Sequence, residues 1–533
     1  MHFKGSVIIE FNKDLPQEVI GKLDEIVSEL NEKILVKGVK NKEEASKIIE
    51  YKAAGNRLQL EIEAGRQVRI HNAALRVKNY LIKTLGPRYR LGIRNILLVN
   101  GRIELEGEYK VSLKLPFVKS LEFKDGTTIV HLETISESEL KKPYIDRLLK
   151  LLREKEVRTK WGGKAEHWEL VKESKIKLSK PFTEDPNKIL EEIGFIKRFA
   201  IGQWFYTPAF AYFINMAKHF LIEEVIKPLG FVEAIFPKMY PLEVGLKTGH
   251  LKGTINAMVF ASLPISYDIS VYEELIDYMY VTDSIPPEEL QKYVKPPSYF
   301  LCFAQCEPFY QFFSREVLED RNLPIKMYDH SGPSFRWEAG GLHGVERVIE
   351  FHRVEIVWLG KPQQVIEIRN KLLEGYEYLM DRVFDLEWRW AWVTPWYYEQ
   401  AGIIEKEEER KLDINRPGTI DFEAWLPYRG PREDKKNWLE IGNISIHGTK
   451  FTEPFKIKHN KGETLWTACS GFGTERWVIS FLAQHGFDPE NWPEKPRKYL
   501  EENPFPGPIE GVTYPKTAKG KELLKKILAF YRK

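Results

Sequence analysis

Ser334-Phe335-Arg336-Trp337-Glu338 is followed by Ala339-Gly340-Gly341-Leu342-His343-Gly344 and, after two more residues, by Arg347-Val348-Ile349-Glu350-Phe351-His352-Arg353-Val354-Glu355. Successive side chains of a strand point to opposite faces, so the first segment presents Arg336 and Glu338 together. On the second, Arg347, Ile349, Phe351, Arg353 and Glu355 share a side, and the glycines between supply a turn. The pattern predicts a β-hairpin on which arginines, acids and an aromatic converge. Packing alone does not call for that mixture, because unpaired buried charge is costly. A phosphate-rich ligand does: arginine forks match phosphate oxygens, a ring stacks on adenine, and a carboxylate accepts from its amino group. An isolated Arg-x-Glu would more readily be a surface hairpin with cross-strand ion pairs.

Working outward, strand-like segments surround Tyr299 to Cys302, Val348 to Trp358 and Trp438 to Ile446, and a long helical pattern, Thr207 to Pro228, runs into Gly230 to Pro237, a strand closed by proline. In the N-terminal third a period-two strand (His2 to Phe11), a polar helical stretch (Gln17 to Lys33) and strand-like segments at Asn95 to Glu106 and Tyr109 to Leu115 predict a small α/β sandwich. Between them Glu61 to Thr84 reads as a helix on which Arg69, Arg76 and Lys83, seven residues apart, share a face. Residues 51–100 carry ten basic and two acidic side chains, and residues 1–180 carry 36 against 26, although the whole chain nets only +3. A one-sided basic helix suits a phosphate backbone, since neutralising phosphates releases counterions. A solvated helix face is an equally ordinary use of such charge.

From Arg158 to Asp185 Lys, Gly and Pro dominate without a sustained apolar period, which sets the expected organisation: an N-terminal domain over 1–160, a linker over 161–185, and a larger domain over 186–533. A Lys-rich amphipathic helix from about Lys519 ends the chain. At 533 residues, 43% hydrophobic and 29% charged, the composition is that of a soluble globular protein with two or three domains. No charged-then-apolar leader opens the chain, so the cytoplasm is the expected location. The longest uncharged run, Phe199 to Ala217, is interrupted by Gln203, Pro208 and Asn215 and reads as core or subunit interface rather than a membrane span. Cys302, Cys306 and Cys469 are too few for a disulfide framework and leave a metal role open.

The Arg-x-Glu, loop and Glu-Phe-x-x-x-Glu return strand resemble motif 2 of class II aminoacyl-tRNA synthetases. Gly471-Phe472-Gly473-Thr474-Glu475-Arg476, leading into an apolar helix, is similar to motif 3, and the Pro237-terminated segment with its preceding helix to motif 1, the dimer element. Within that superfamily the chain resembles the zinc-dependent seryl-tRNA synthetases of methanogenic archaea, in which Cys306, Glu355 and Cys469 match the protein zinc ligands. Thiolate, carboxylate and thiolate also make a sound three-ligand Zn²⁺ set with one position open. By spacing alone Cys302 competes with Cys306. The resemblance implies an α+β fold: a class II antiparallel β-sheet catalytic domain flanked by helices, with an N-terminal α/β tRNA-binding domain and a helical insertion near 395–415.

It also implies roles. Arg336 binds the α-phosphate and the serine carboxylate and is the catalytic residue; Trp337, Glu338, Arg347, Val348 and Phe351 accompany the nucleotide, and Arg476 covers its other side. Glu440 holds Mg²⁺ and ATP. Ala304 and Arg353 line the serine pocket, and Asn443 and Ser445 reach that Mg²⁺ or serine, with Gln400 and Trp396 reaching in from the insertion. Arg69, Arg76 and Lys83 are expected on tRNA. The implied reaction is ATP-dependent formation of seryl-adenylate and transfer of serine to tRNA(Ser) by a homodimer, with tRNA(Sec) left open as a second acceptor. The alternatives are a class II synthetase for threonine, proline or phosphoserine, and a non-catalytic synthetase-like tRNA-binding protein. Threonine enzymes place histidines around their zinc, and none stands at Glu355 or Cys469.

Overall fold

The computed structural model describes residues 1–39, 41, 44–108, 117–149, 151–152, 168–338, 341–393, 413, 415–507, 515 and 517–531. The chain divides into two compact units, Met1–Ala165 and Glu166–Lys533.

In the first unit an antiparallel sheet runs in the order Ser46–Ala54, Arg57–Ala64, His2–Phe11, Ile93–Glu106, Thr127–Leu132, Val118–Lys124. The helix Ile70–Tyr89 covers it, burying Ile70, Ala73, Ala74, Val77, Leu81 and Leu85 against Phe3, Val7 and Ile9. Those positions recur every three or four residues, which is one helix face. The expected helix from Glu61 to Thr84 is corrected here: Arg57–Ala64 is a strand and the helix begins at Ile70. Leu58, Leu60, Ile62 and Ala64 are all buried, a period of two that prevails over helical spacing. The polar stretch from Gln17 breaks into the short helices Gln17–Ile20 and Leu23–Glu29 and a π turn, Leu30–Ile34. Residues 109–115, read as a strand, lie outside the described residues.

The second unit is built on a sheet ordered Val232–Glu233, Ile325–Asp329, Glu350–Gly360, Trp466–Gly473, Trp438–Gly448, Gly418–Trp425, Trp388–Val393, Trp168–Glu173, with Pro333–Phe335 also paired to Glu350–Gly360. All of these pairings are antiparallel except that of the two-residue strand Val232–Glu233. Only those two residues of Gly230 to Pro237 are strand. Trp168–Glu173 falls in the stretch read as a linker, yet it is the edge strand beside Trp388–Val393. Its charges read as loop, and its anchor is Trp168, whose ring meets the Arg389 and Lys435 cations at 4.8 and 3.8 Å.

The helices Pro208–Leu221, Pro362–Tyr378 and Thr474–His485 cover one face of the sheet and share a core with Val354, Ile356 and Trp358 of the strand Glu350–Gly360. The alternate residues Val357 and Leu359 enter a second core that contains Cys302, Phe303 and Cys306. One strand therefore separates two cores, and Phe351, Arg353 and Glu355 fall on the side of the second. Among the described residues no helix is long and apolar enough to cross a membrane.

Candidate active site

The hairpin forms as its alternation demands: Ser334 pairs with Phe351 and Phe335 with Glu350, and the Arg336 amide donates to the Ile349 carbonyl at 2.8 Å. Beyond it the register places Arg353 opposite Gly473 and Glu355 opposite Gly471, and Gly471 opposite Asn443. The two glycines leave those rows without intervening side chains, so the sheet itself floors a cleft. A Cβ at Gly442 would lie 2.5 Å from the Gly471 carbonyl oxygen, and only glycine permits that approach of strands.

The cleft is lined by Arg336, Glu338, Val348, Phe351, Arg353, Glu440, Asn443 and Arg476, together with Val345, Glu346, Ile441, Glu475 and the glycines. Eight residues named from the sequence thus meet in one place. Arg336 lies 4.8 Å from the Phe303 ring and 5.9 Å from that of Phe351, and its Nε is enclosed without a hydrogen-bond partner. Burial, then the repulsion of Arg353 and Arg476, pushes its guanidinium down to about 10. A cation so placed is short of an anion. Arg476 donates to the Glu440 carbonyl at 2.9 Å and to the Glu346 carbonyl at 3.0 Å, which aims it across the cleft. The Glu440 carboxylate meets only longer contacts, 3.4 Å each from Arg476 and Asn443.

At the other end of the return strand, ligand atoms of Cys306, Glu355 and Cys469 lie within 4.8 Å of one another. Glu355 is buried, and its Oε2 faces Arg353 Nε at 3.3 Å without a hydrogen bond. Burial raises the Glu355 carboxyl, and a hydrogen bond with Cys306, followed by burial, raises the Cys469 thiol well above its usual range. Arg353 is held up instead: burial opposes its charge, but Glu355, Cys302 and Cys306 outweigh that. Cys302 stands apart, its sulfur accepting from the Tyr240 hydroxyl at 2.9 Å and lying 3.5 Å from Ser334 Oγ.

Other named residues sit elsewhere. Trp337 is half exposed, with its amide on the Ala257 carbonyl. Arg347, also half exposed, is paired to Glu338 at 3.3 Å rather than lining the cleft. Ala304 packs in the second core, and Ser445 pairs in register with Cys469. Trp396, Gln400 and all of the insertion expected near 395–415 except residues 413 and 415 lie outside the described residues. In the first unit Arg69 precedes the helix and forms an ion pair with Asp146, and Arg76 donates to the carbonyls of Ile34 and Lys37 at 3.1 and 2.9 Å. Lys83 alone of the three is exposed.

Two carboxylates went unread in the sequence. Glu475 accepts from the backbone and ring nitrogens of His352, tying the return strand to the helix that carries Arg476. Glu346 is buried and bonded by Tyr428, Arg429 and His343. Burial opposes its charge, but His343 and Arg429 outweigh that and hold its carboxyl below the usual range. His343 is three residues upstream, but Tyr428 and Arg429 stand more than eighty residues downstream, so no local pattern announces the full set of partners.

Residues 1–154 match the tRNA-binding domain family, and residues 293–485 match the class II tRNA synthetase core domain (G, H, P, S and T). A type-2 serine–tRNA ligase of Methanococcoides burtonii is 41% identical over 478 residues, covering 89% of this chain and 93% of the relative. The chain belongs to the type-2 serine–tRNA ligase family. A second member, from Methanocaldococcus jannaschii, is 36% identical and covers 96% of this chain and 98% of its own. A solved structure of the family, M. kandleri SerRS in complex with A. aeolicus tRNASec, superposes with a TM-score of 0.78 at 32% identity, covering 96% of this chain and 99% of that one. The family accounts for both units: an α+β class II core and an N-terminal tRNA-binding domain.

Proposed function

We propose that the chain activates serine with ATP and transfers it to tRNA(Ser), and that a zinc ion held by Cys306, Glu355 and Cys469 chooses the amino acid. The observation that supports this reading is the donor group's closeness in the fold to the arginine-lined cleft: Glu355 stands two residues beyond Arg353 on the return strand, and Cys469 is on the neighbouring strand that carries Gly471 and Gly473. The residues fit the metal: two sulfurs and a carboxylate in reach of one centre, with a buried carboxylate oxygen that has no hydrogen bond. When bound, zinc supplies a Lewis-acid position for the amino group of serine. Glu440, with Asn443 3.4 Å from its carboxylate, would hold the Mg²⁺ that accompanies ATP.

The rest of the chemistry belongs to side chains. Arg336 orients the serine carboxylate against the α-phosphate and stabilises the charge that develops as the carboxylate attacks and pyrophosphate leaves. Arg476 holds the outer phosphates from across the cleft, while Phe351 and Glu338 take adenine. A ribose hydroxyl at the tRNA 3′ end then attacks the acyl carbon, and AMP leaves. No protein nucleophile is required.

The first unit would hold the tRNA, with Lys83 touching phosphate and with Arg69 and Arg76 anchoring the helix that presents it. The M. kandleri complex supports tRNA(Sec) as a further acceptor. A homodimer fits Phe199 and Ile201, each 76% exposed just before the helix Pro208–Leu221. ATP–pyrophosphate exchange measured with each amino acid in turn tests the assignment. Serine alone is expected to support it; exchange with threonine, proline or phosphoserine in its place would overturn it.

A further inference from the structure

We infer that Asn187 and Trp204 hold the turn of the ATP hairpin and so set how tightly the cleft takes a nucleotide. The inference rests on the reading of that cleft as the ATP site. Asn187 and Trp204 stand 158 and 140 residues before the positions they touch, at the start of the second unit. Asn187 is buried in the first turn of the helix Pro186–Glu192, and its Oδ1 accepts from the Val345 amide at 2.9 Å. Trp204 lies on the hairpin formed by Ile196–Ala200 and Gln203–Tyr206, and its indole Nε1 donates to the Gly344 carbonyl at 2.7 Å. On the same hairpin the Gly202 carbonyl accepts from the Ile349 amide at 2.8 Å, and Gln203 Nε2 donates to Glu350 Oε2 at 2.7 Å.

Four hydrogen bonds thus reach residues 344–350 from one segment of chain. Between the tied points stand Glu346 and Val348, which line the cleft with Val345, and the Glu346 carbonyl also receives Arg476. The approach needs glycine on both sides. Gly202 and Gly344 have left-handed backbone, with φ of +69° and +47°; a Cβ at Gly344 would lie 2.1 Å from the Asn187 side chain, and one at Gly202 2.7 Å from that of Ile349. Inside the turn His343 and Arg347 exchange backbone hydrogen bonds at 3.0 and 3.1 Å. A glycine-bearing turn left free would have to be ordered by each arriving nucleotide, at a cost to affinity, and ties made in advance remove that cost. Of the zinc group only Glu355 shares the return strand, beyond the last tied position, so the ties bear on ATP rather than on serine. Asn187 and Trp204 are therefore positioning residues, acting through the turn.

Trp204→Phe removes the indole N–H and keeps an aromatic ring, and Asn187→Ala removes the acceptor. On full-length protein the calorimetric Kd for Mg²⁺-ATP is expected to rise about 3–10-fold in each variant, the scale of one lost hydrogen bond, while KM for serine in pyrophosphate exchange stays within about twofold. General loosening of the fold would raise both constants together. An unchanged Kd for Mg²⁺-ATP in folded Trp204→Phe overturns the inference, as does an equal rise of both constants, and that variant decides the matter if Asn187→Ala does not fold. Arg476→Ala, in the cleft itself, is measured beside them. A Kd for Mg²⁺-ATP that Arg476→Ala leaves unchanged would overturn the ATP reading of the cleft and the inference with it, whereas a Kd raised by Arg476→Ala but not by Trp204→Phe overturns the inference alone.

Discussion

Arg69 in the first unit and Arg336 in the second both stand on periodic, charge-bearing stretches, and their surroundings are opposite. Arg69 is matched by Asp146, and its helix-mate Arg76 is capped by two backbone carbonyls. Arg336 sits among Arg353, Arg476 and two aromatic rings, with an enclosed nitrogen that bonds nothing. The fold satisfies the first pair and leaves the second for a ligand. A partly buried cation whose enclosed Nε has no hydrogen bond is the more informative of the two, because an arriving anion would offset its desolvation.

The largest expected break in that comparison is Arg336→Ala. ATP–pyrophosphate exchange should fall by at least about 10²-fold, the scale for losing one charge-stabilising donor, while Tm holds or rises because a strained cation is gone. Near-normal exchange would remove Arg336 from the mechanism. Next comes Cys306→Ser, expected to lose zinc where Cys302→Ser keeps it, as read by metal analysis of the purified proteins. Glu346→Ala should raise KM for ATP by about 10-fold with KM for serine unchanged, since Glu346 acts by fixing the carbonyl that aims Arg476. The smallest effects belong to the first unit. Arg69→Ala should lower its Tm by about 2–4 °C and leave exchange intact, whereas Lys83→Ala should leave Tm unchanged and reduce the salt dependence of tRNA binding by about one counterion. A large loss of tRNA affinity from Arg69→Ala with Tm preserved would reverse the contrast.

How much of this was legible follows the range of the interactions. Alternation within Ser334 to Glu355 is local, so the hairpin, its shared face and the convergence of Arg336, Phe351 and Arg353 could be read directly. Strand pairing is not local. Nothing near Gly471 shows that it faces Glu355, and the choice between Cys302 and Cys306 depended on which thiol the fold turns toward Cys469 and which toward Tyr240. The misread helix from Glu61 shows period two competing with basic side chains seven apart, where burial of Leu58, Leu60 and Ile62 decided for strand. Glu346 and Trp204 were invisible for the same reason as Gly471: each has partners far off in the sequence.

The central claim is that one return strand serves the nucleotide at one end and the amino acid, through zinc, at the other. Its most direct test is to compare zinc-loaded and chelator-stripped protein for ATP binding and for serine-dependent pyrophosphate exchange. Stripping is expected to leave the Kd for ATP within about twofold, an order-of-magnitude allowance for weak coupling between the ends, while exchange disappears and returns with added Zn²⁺. Stripped protein that still exchanges at the full rate with serine would contradict the claim.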